Sequence, residues 1–204
     1  VDRARAFGAD IMNKDHYRIE EFDEEEKTRR LIEWNRKHAW MEWWLGVPPP
    51  SKQITLLGDN ELPLKVRIAQ QVIDEVKHQE VFSRCSAHWG GSENFADYSP
   101  PESVWRAYQS TFYFECGDPL LGIAISLQVT GEAVLLHHLD PALSVLNVVL
   151  DDFTREAYLQ DIAPDELRHV NNGKEIIAKY ARDPKTRRWL ISVQNTKLER
   201  LAAH

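Results

Sequence analysis

Asp74-Glu75-Val76-Lys77-His78 recurs as Asp165-Glu166-Leu167-Arg168-His169, the pattern Asp-Glu-x-Lys/Arg-His twice in one chain. Multiplying the chain's own residue frequencies gives about 0.006 occurrences of this pattern in a shuffled sequence, far below the false-positive level of ordinary short motifs. On an α-helix, positions three apart share a face. Glu75 with His78, and Glu166 with His169, therefore each set a carboxylate oxygen beside an imidazole nitrogen. The repeat reads as two half-sites for metal on two helices.

The flanking residues say which way these half-sites point. Ile68, Val72, Gln79 and Phe82 recur at helical spacing around Glu75, and Ile162, Val170 and Ile177 do so around Glu166. Both glutamates thus lie in apolar stripes and face inward. A buried ionised carboxylate is expensive unless it is paired or bound to a cation, and several converging on one core are intelligible around metal ions. A solvated charge cluster is the competing reading for either copy alone.

Outward from the motifs the chain reads as helix throughout, because no run alternates apolar and polar residues long enough for a sheet. Breaks fall at Gly46-Val47-Pro48-Pro49-Pro50-Ser51, Gly90-Gly91-Ser92, Ser99-Pro100-Pro101, Gly117-Asp118-Pro119 and Asp183-Pro184. They delimit a first helix over about Glu20 to Leu45, a proline loop, and a second helix from near Pro63 to about Ser86, with Asn60 as its expected cap. A short helix over about Glu102 to Glu115 follows, then an apolar one over Pro119 to Leu139, then helical sequence from Pro141 to Ala181, bent or broken at Pro164. The expected fold class is all-α. A single domain spans 1–204, with a metal-binding core over about 20–181.

Two more carboxylates are needed if each of four helices contributes to a dimetal site. Glu132 is the acidic residue of the Pro119 to Leu139 helix, on a face with Leu121, Ile125, Val129, Leu136 and Leu139. On the first helix Glu33 and Glu42 compete. Glu33 shares its side with Arg29, Arg36 and Lys37, whereas Glu42 points with Leu31, Asn35, His38 and Leu45, which favours Glu42. Against Glu42 stands depth: it lies near the proline loop while Glu75 lies well past Pro63, a mismatch of nine residues or ~13 Å at helical rise.

The 204 residues carry 25 Lys+Arg against 32 Asp+Glu, a net charge of -7, which argues against nucleic acid as a partner. Cys85 and Cys116 form no CxxC pattern and read as buried free thiols, which excludes a disulfide framework and a zinc ribbon. The apolar run from Pro119 is interrupted by Gln128, Glu132, His137 and His138, so no membrane partner is expected. No apolar signal core opens the sequence, and the expectation is the ordered or processed part of a cytoplasmic protein.

Taken together, Glu42, Asp74-Glu75-Val76-Lys77-His78, Glu132 and Asp165-Glu166-Leu167-Arg168-His169 resemble the ferritin-like di-iron carboxylate proteins, over roughly Glu33 to His169. The doubled form is most similar to the hydroxylase subunits of bacterial multicomponent monooxygenases, the ribonucleotide reductase small subunit and the arylamine N-oxygenases. The resemblance implies a ferritin-like four-helix bundle with additional short helices. It also implies that Glu75 and Glu166 bridge or chelate two irons, that His78 and His169 each bind one, and that Glu42 and Glu132 complete the set. Asp74 and Asp165 would accept the free imidazole N–H of the histidine on the opposite helix; an ordinary exposed Asp is the alternative. Lys77 departs from the usual Arg, and the chain is much shorter than the monooxygenase subunits.

Mixed carboxylate and imidazole ligands suit two Fe ions or a Mn/Fe pair, with O2 as co-substrate. The function this implies is an O2-activating non-haem di-iron oxygenase or oxidase performing hydroxylation, N-oxygenation or desaturation of a small organic substrate. The alternatives are a ferroxidase or peroxide-scavenging metal-handling protein, or a radical-generating subunit using Tyr108 or Tyr113. Expected partners are the small-molecule substrate and an electron-donor protein or other reductant, with a homodimer allowed. His38, His137 and His138 are open candidates for a third imidazole. Trp34, Trp40, Trp43, Trp44, Trp105, Tyr108, Phe112, Tyr113 and Phe114 read either as pocket lining or as core. The charged run from Glu20 to Arg30 reads as a solvated helix face.

Overall fold

The computed structural model describes residues 3, 6, 22–102, 117–138 and 151–202, and among them all regular structure is helical. Outside the described residues lie Cys116, all but the first residue of the helix expected over Glu102 to Glu115, the stretch 139–150, and the side chains of His137 and His138.

Helix α1 runs Glu24–Met41, opened by Asp23, whose carboxylate accepts the Glu26 N–H at 2.9 Å. It passes directly into a π-helical turn over Glu42–Gly46. The proline stretch that follows is not a loop but a second helix, α2, over Pro48–Leu56. Three consecutive prolines are compatible with a first helical turn, where the backbone N–H groups have no helical partner to lose. Helix α3 covers Leu62–His88. Asn60 does not cap it; it sits inside a 3-10 turn over Asp59–Glu61 that leads into the helix.

The apolar helix α4 is composite: Pro119–Ile123, a π-helical stretch Ala124–Gly131, and Glu132–His138. Its N-cap is Asp118, which accepts the Leu121 N–H at 3.2 Å. Helix α5 is composite too, with Asp152–Glu156, a π-helical stretch Ala157–Ile162 and Ala163–Tyr180. The break expected at Pro164 therefore takes the form of a widened turn just before it, since proline has no N–H to return to the preceding turn. A further helix, α6, covers Pro184–Ala202, beyond the expected core boundary at Ala181.

The helices pack in a closed circuit: α1 on α3, α3 on α5, α5 on α4, and α4 back on α1 through Trp40, Leu45, Ile123 and Leu127. One apolar cluster gathers Leu64 and Ile68 of α3 with Leu121 and Ile125 of α4 and Ile176 of α5. A second gathers Val81, Phe82 and Cys85 with Ala39, Tyr158 and Ile162. Along α3 the first cluster precedes the second, and along α5 the order reverses, so these two helices run antiparallel. A polar layer lies between the clusters, containing both motifs. Each fully buried Leu, Ile or Phe in the flanking layers contributes about 1.5–3 kcal/mol, and these layers keep the polar one from water.

Close approach of α5 to α4 depends on Gly173. A Cβ there would stand 2.6 Å from Gln128 Cβ and 3.0 Å from the Ala124 carbonyl oxygen. By length and composition Pro119–Leu136 could cross a membrane, with mean hydropathy 1.6. In the structure 72% of that window is buried, under α2, α5 and α6.

Candidate metal centre

The polar layer is built by four helices. Helix α3 brings Asp74, Glu75 and His78; α5 brings Asp165, Glu166 and His169; Glu42 opens the π-helical turn after α1; Glu132 follows the π-helical stretch of α4. Glu75, His78, Glu166 and His169 are completely buried, and Glu42 and Glu132 nearly so. Ligand atoms of Glu42, Glu75, His78 and Glu166 lie within 4.8 Å of one another, as do those of Glu75, Glu132 and His169. Glu75 belongs to both groups, and the two imidazole rings are 5.8 Å apart.

Between the first-helix candidates, Glu42 reaches this layer and Glu33 does not. Glu33 is exposed and bonded to Arg29 at 3.2 Å. The depth mismatch at Glu42 is taken up by α2, whose nine residues span ~13 Å at helical rise before α3 begins. Gly46 makes the join: a Cβ there would lie 3.0 Å from Glu75 Oε2.

Each histidine has one ring nitrogen engaged across the helix pair. His78 Nε2 lies 3.2 Å from Asp165 Oδ2, and His169 Nε2 lies 3.2 Å from Asp74 Oδ2. An ionised carboxylate only accepts, so Nε2 carries a hydrogen in both rings, and in the neutral ring Nδ1 keeps its lone pair. Among the described residues both Nδ1 atoms are buried without a hydrogen-bond partner, and so are Glu75 Oε2, Glu132 Oε1 and both Glu166 oxygens. His78 Nδ1 stands 3.0 Å from Glu166 Oε1, and His169 Nδ1 stands 3.3 Å from Glu75 Oε1, lone pair toward lone pair in the neutral-ring state. Buried polar atoms are normally bonded. A group of bare acceptors converging on one place fits a cation, and the donor set is of the kind that holds metal ions.

Arg168 holds the outer aspartates together, bonding Asp74 Oδ2 at 3.2 Å and also Asp165. Lys77 is the lesser partner, 3.5 Å from Asp165 and 3.1 Å from the Asp161 carbonyl oxygen. A pocket of about 220 Å³, lined by Arg67, Gln70, Arg168, Asn172 and Glu175, lies against the outer side of Asp74 and His169.

Proton affinities follow from the crowding. Burial, then the Glu75 and Glu166 charges, push Glu42 well above the carboxylate range. Burial, then Glu166 and Glu75, do the same to Glu132. For Glu166, burial works upward but is outweighed by the His169 and His78 imidazoles, which hold it low. Burial opposes protonation of His169, yet Glu75, Asp74 and Glu166 raise it to about 9; His78 is raised by Asp165, Glu166 and Glu75 against the same opposition. When no cation is bound, protons take over part of its charge-compensating role.

Among the other sequence candidates, His38 is buried and its Nδ1 bonds the Trp34 carbonyl oxygen at 2.8 Å, within its own helix. Trp40 is core, whereas Trp43 and Trp44 are exposed. Sequence reasoning missed Gly46, the buried Lys197 of α6, and Gln53 and Gln71. Burial pushes the Lys197 ammonium down to about 7, against the pull of Glu132. The available signal was Gln128, a lone amide in an otherwise apolar stretch. No family model matches the chain, and no curated protein or solved structure matches it.

Proposed function

We propose that the chain is an O2-activating di-iron oxygenase or oxidase of ferritin-like four-helix-bundle type, acting on a small organic substrate. The observation that carries this reading is the set of buried acceptors without hydrogen-bond partners among the described residues: the Nδ1 atoms of the two neutral imidazoles and oxygens of Glu75, Glu132 and Glu166. Four glutamates ionised in one layer carry four negative charges beside two neutral imidazoles, and two divalent cations balance that sum. Glu42, Glu75, His78 and Glu166 would hold one ion, and Glu75, Glu132, Glu166 and His169 the other.

Bound ferrous iron would supply the electrons for O2 reduction, which no side chain of the layer provides. The chain's own contributions are separate. Asp165 and Asp74 fix the tautomers of His78 and His169, Arg168 fixes the aspartates, and the apolar layers around Phe82 and Ile68 exclude water.

The test is O2 uptake by iron-loaded protein with and without a panel of small aromatic, amine and aliphatic substrates. Uptake that rises with one substrate class, with a product carrying oxygen or a new double bond, is expected. Uptake that follows added Fe(II) alone would overturn the oxygenase reading in favour of a ferroxidase.

A further inference from the structure

Three completely buried glutamines on three elements form a series that ends on the metal layer. Gln53 Nε2 of α2 donates to Gln128 Oε1 of α4 at 3.1 Å; Gln128 Nε2 donates to Gln71 Oε1 of α3 at 2.8 Å; Gln71 Nε2 donates to Glu75 Oε1 at 3.2 Å. The direction of the whole series is set at its last link. An ionised carboxylate only accepts, so Gln71 presents its NH2 to Glu75 and its carbonyl to Gln128, and each earlier amide follows suit. The series then leaves the Gln53 carbonyl oxygen buried and without a partner among the described residues. Leaving such an oxygen bare is unfavourable, and leucines in these three places would pack without that penalty. What the amides supply is a polarised donor aimed at one oxygen of Glu75.

The two oxygens of Glu75 face different histidines. Oε2 lies 3.7 Å from His78 Nδ1, while Oε1, the one that accepts from Gln71, lies 3.3 Å from His169 Nδ1. A hydrogen bond to a carboxylate oxygen draws charge from it, lowers its basicity and so makes it a weaker ligand.

We infer that the Gln53–Gln128–Gln71 chain makes the two halves of the site unequal, so that a divalent cation fills the His78 half first and the His169 half more weakly. The inference rests on the two-metal reading above. Gln71 is a positioning residue that acts through Glu75, and Gln128 and Gln53 act through Gln71. The His78 half keeps Glu42, Glu166 and the unburdened Oε2. The His169 half receives the oxygen already engaged.

The experiment is anaerobic titration with Co(II), followed by its visible absorption against a competing chelator, on wild type, Gln71→Leu and Gln53→Leu, with a thermal melt of each. Wild type takes up cobalt in two steps at least ~10-fold apart in affinity. In Gln71→Leu the gap contracts by about tenfold through a tighter second step, the scale of one hydrogen bond to a charged group. In Gln53→Leu, which removes only the far end, it contracts in the same direction by roughly twofold. A wild-type titration in one step, or a folded Gln71→Leu with the wild-type gap, overturns the inference. If Gln71→Leu does not fold, an unchanged gap in Gln53→Leu overturns it instead. Absence of bound cobalt from wild type overturns the metal reading as well, and is distinct from two-step binding that the variants leave unaltered.

Discussion

At the scale of single residues, the division of labour within each imidazole is the centre of the account. Nε2 of His78 bonds Asp165 on the opposite helix and Nε2 of His169 bonds Asp74, so both Nδ1 lone pairs turn inward. The Asp preceding each Glu of the motif is therefore as much part of the centre's construction as the Glu itself. Asp165→Ala removes the acceptor that fixes His78 and frees its ring to take the other tautomer. Metal affinity is expected to fall about 10–100-fold, with helicity retained, as read by chelator competition and circular dichroism. Affinity equal to wild type would show that Asp165 does not govern the ring.

Legibility at this scale was uneven. Glu75, His78, Glu166 and His169 stood out because a helix converts a spacing of three into one face, and the surrounding apolar residues said which face is buried. Glu42 was favoured over Glu33 by the same wheel, but its depth was not readable. Depth depends on α2, where Pro48-Pro49-Pro50 begin a helix rather than a loop. Gln71 and Gln53 gave no signal, since a polar residue beside another polar one in sequence, Gln70 or Lys52, looks like surface until its partner arrives from α4.

At the scale of elements, three of the four helices that supply the layer widen into π-helical turns beside it: Glu42–Gly46, Ala124–Gly131 and Ala157–Ile162. Such turns cluster at functional sites, because one extra residue per turn re-aims the side chains that follow. The first and third have a local cause in the sequence, since Pro48 and Pro164 each stand two residues past the widened turn and have no N–H to return to it. The second answers to packing, which periodicity alone does not encode. Packing between elements is also tight. Gly173→Ala would drive a methyl group into Gln128 Cβ and the Ala124 carbonyl, where α5 meets α4. The expected loss is about 1–3 kcal/mol, each kcal/mol lowering Tm by roughly 2–4 °C. Gly58→Ala is the control, since among the described residues nothing lies within 4 Å of a Cβ there and its φ is -63°. Equal melting of the two variants would contradict the close approach.

At the scale of the whole molecule, two apolar layers enclose one polar layer, and the arrangement reverses the usual economy of a helical core. Glu42, Glu75, Glu132 and Glu166 are buried together, and Asp74 and Asp165 lie just outside them. An all-α chain with such a centre was legible from the doubled motif and the helical periodicity. The fold's closure by α6 was not, because the segment after Asp183-Pro184 carries a weak amphipathic pattern and no metal-binding motif. The energetic problem of the buried carboxylates is the strongest constraint the molecule places on its own function. Protons on Glu42, Glu132 and the imidazoles relieve it in one way, and divalent cations in another. The decisive measurement is metal stoichiometry after anaerobic Fe(II) loading and desalting at neutral pH. About two irons per chain are expected, reduced to about one in His169→Ala with the helical fold intact. Wild-type protein that emerges folded and free of iron would contradict this expectation.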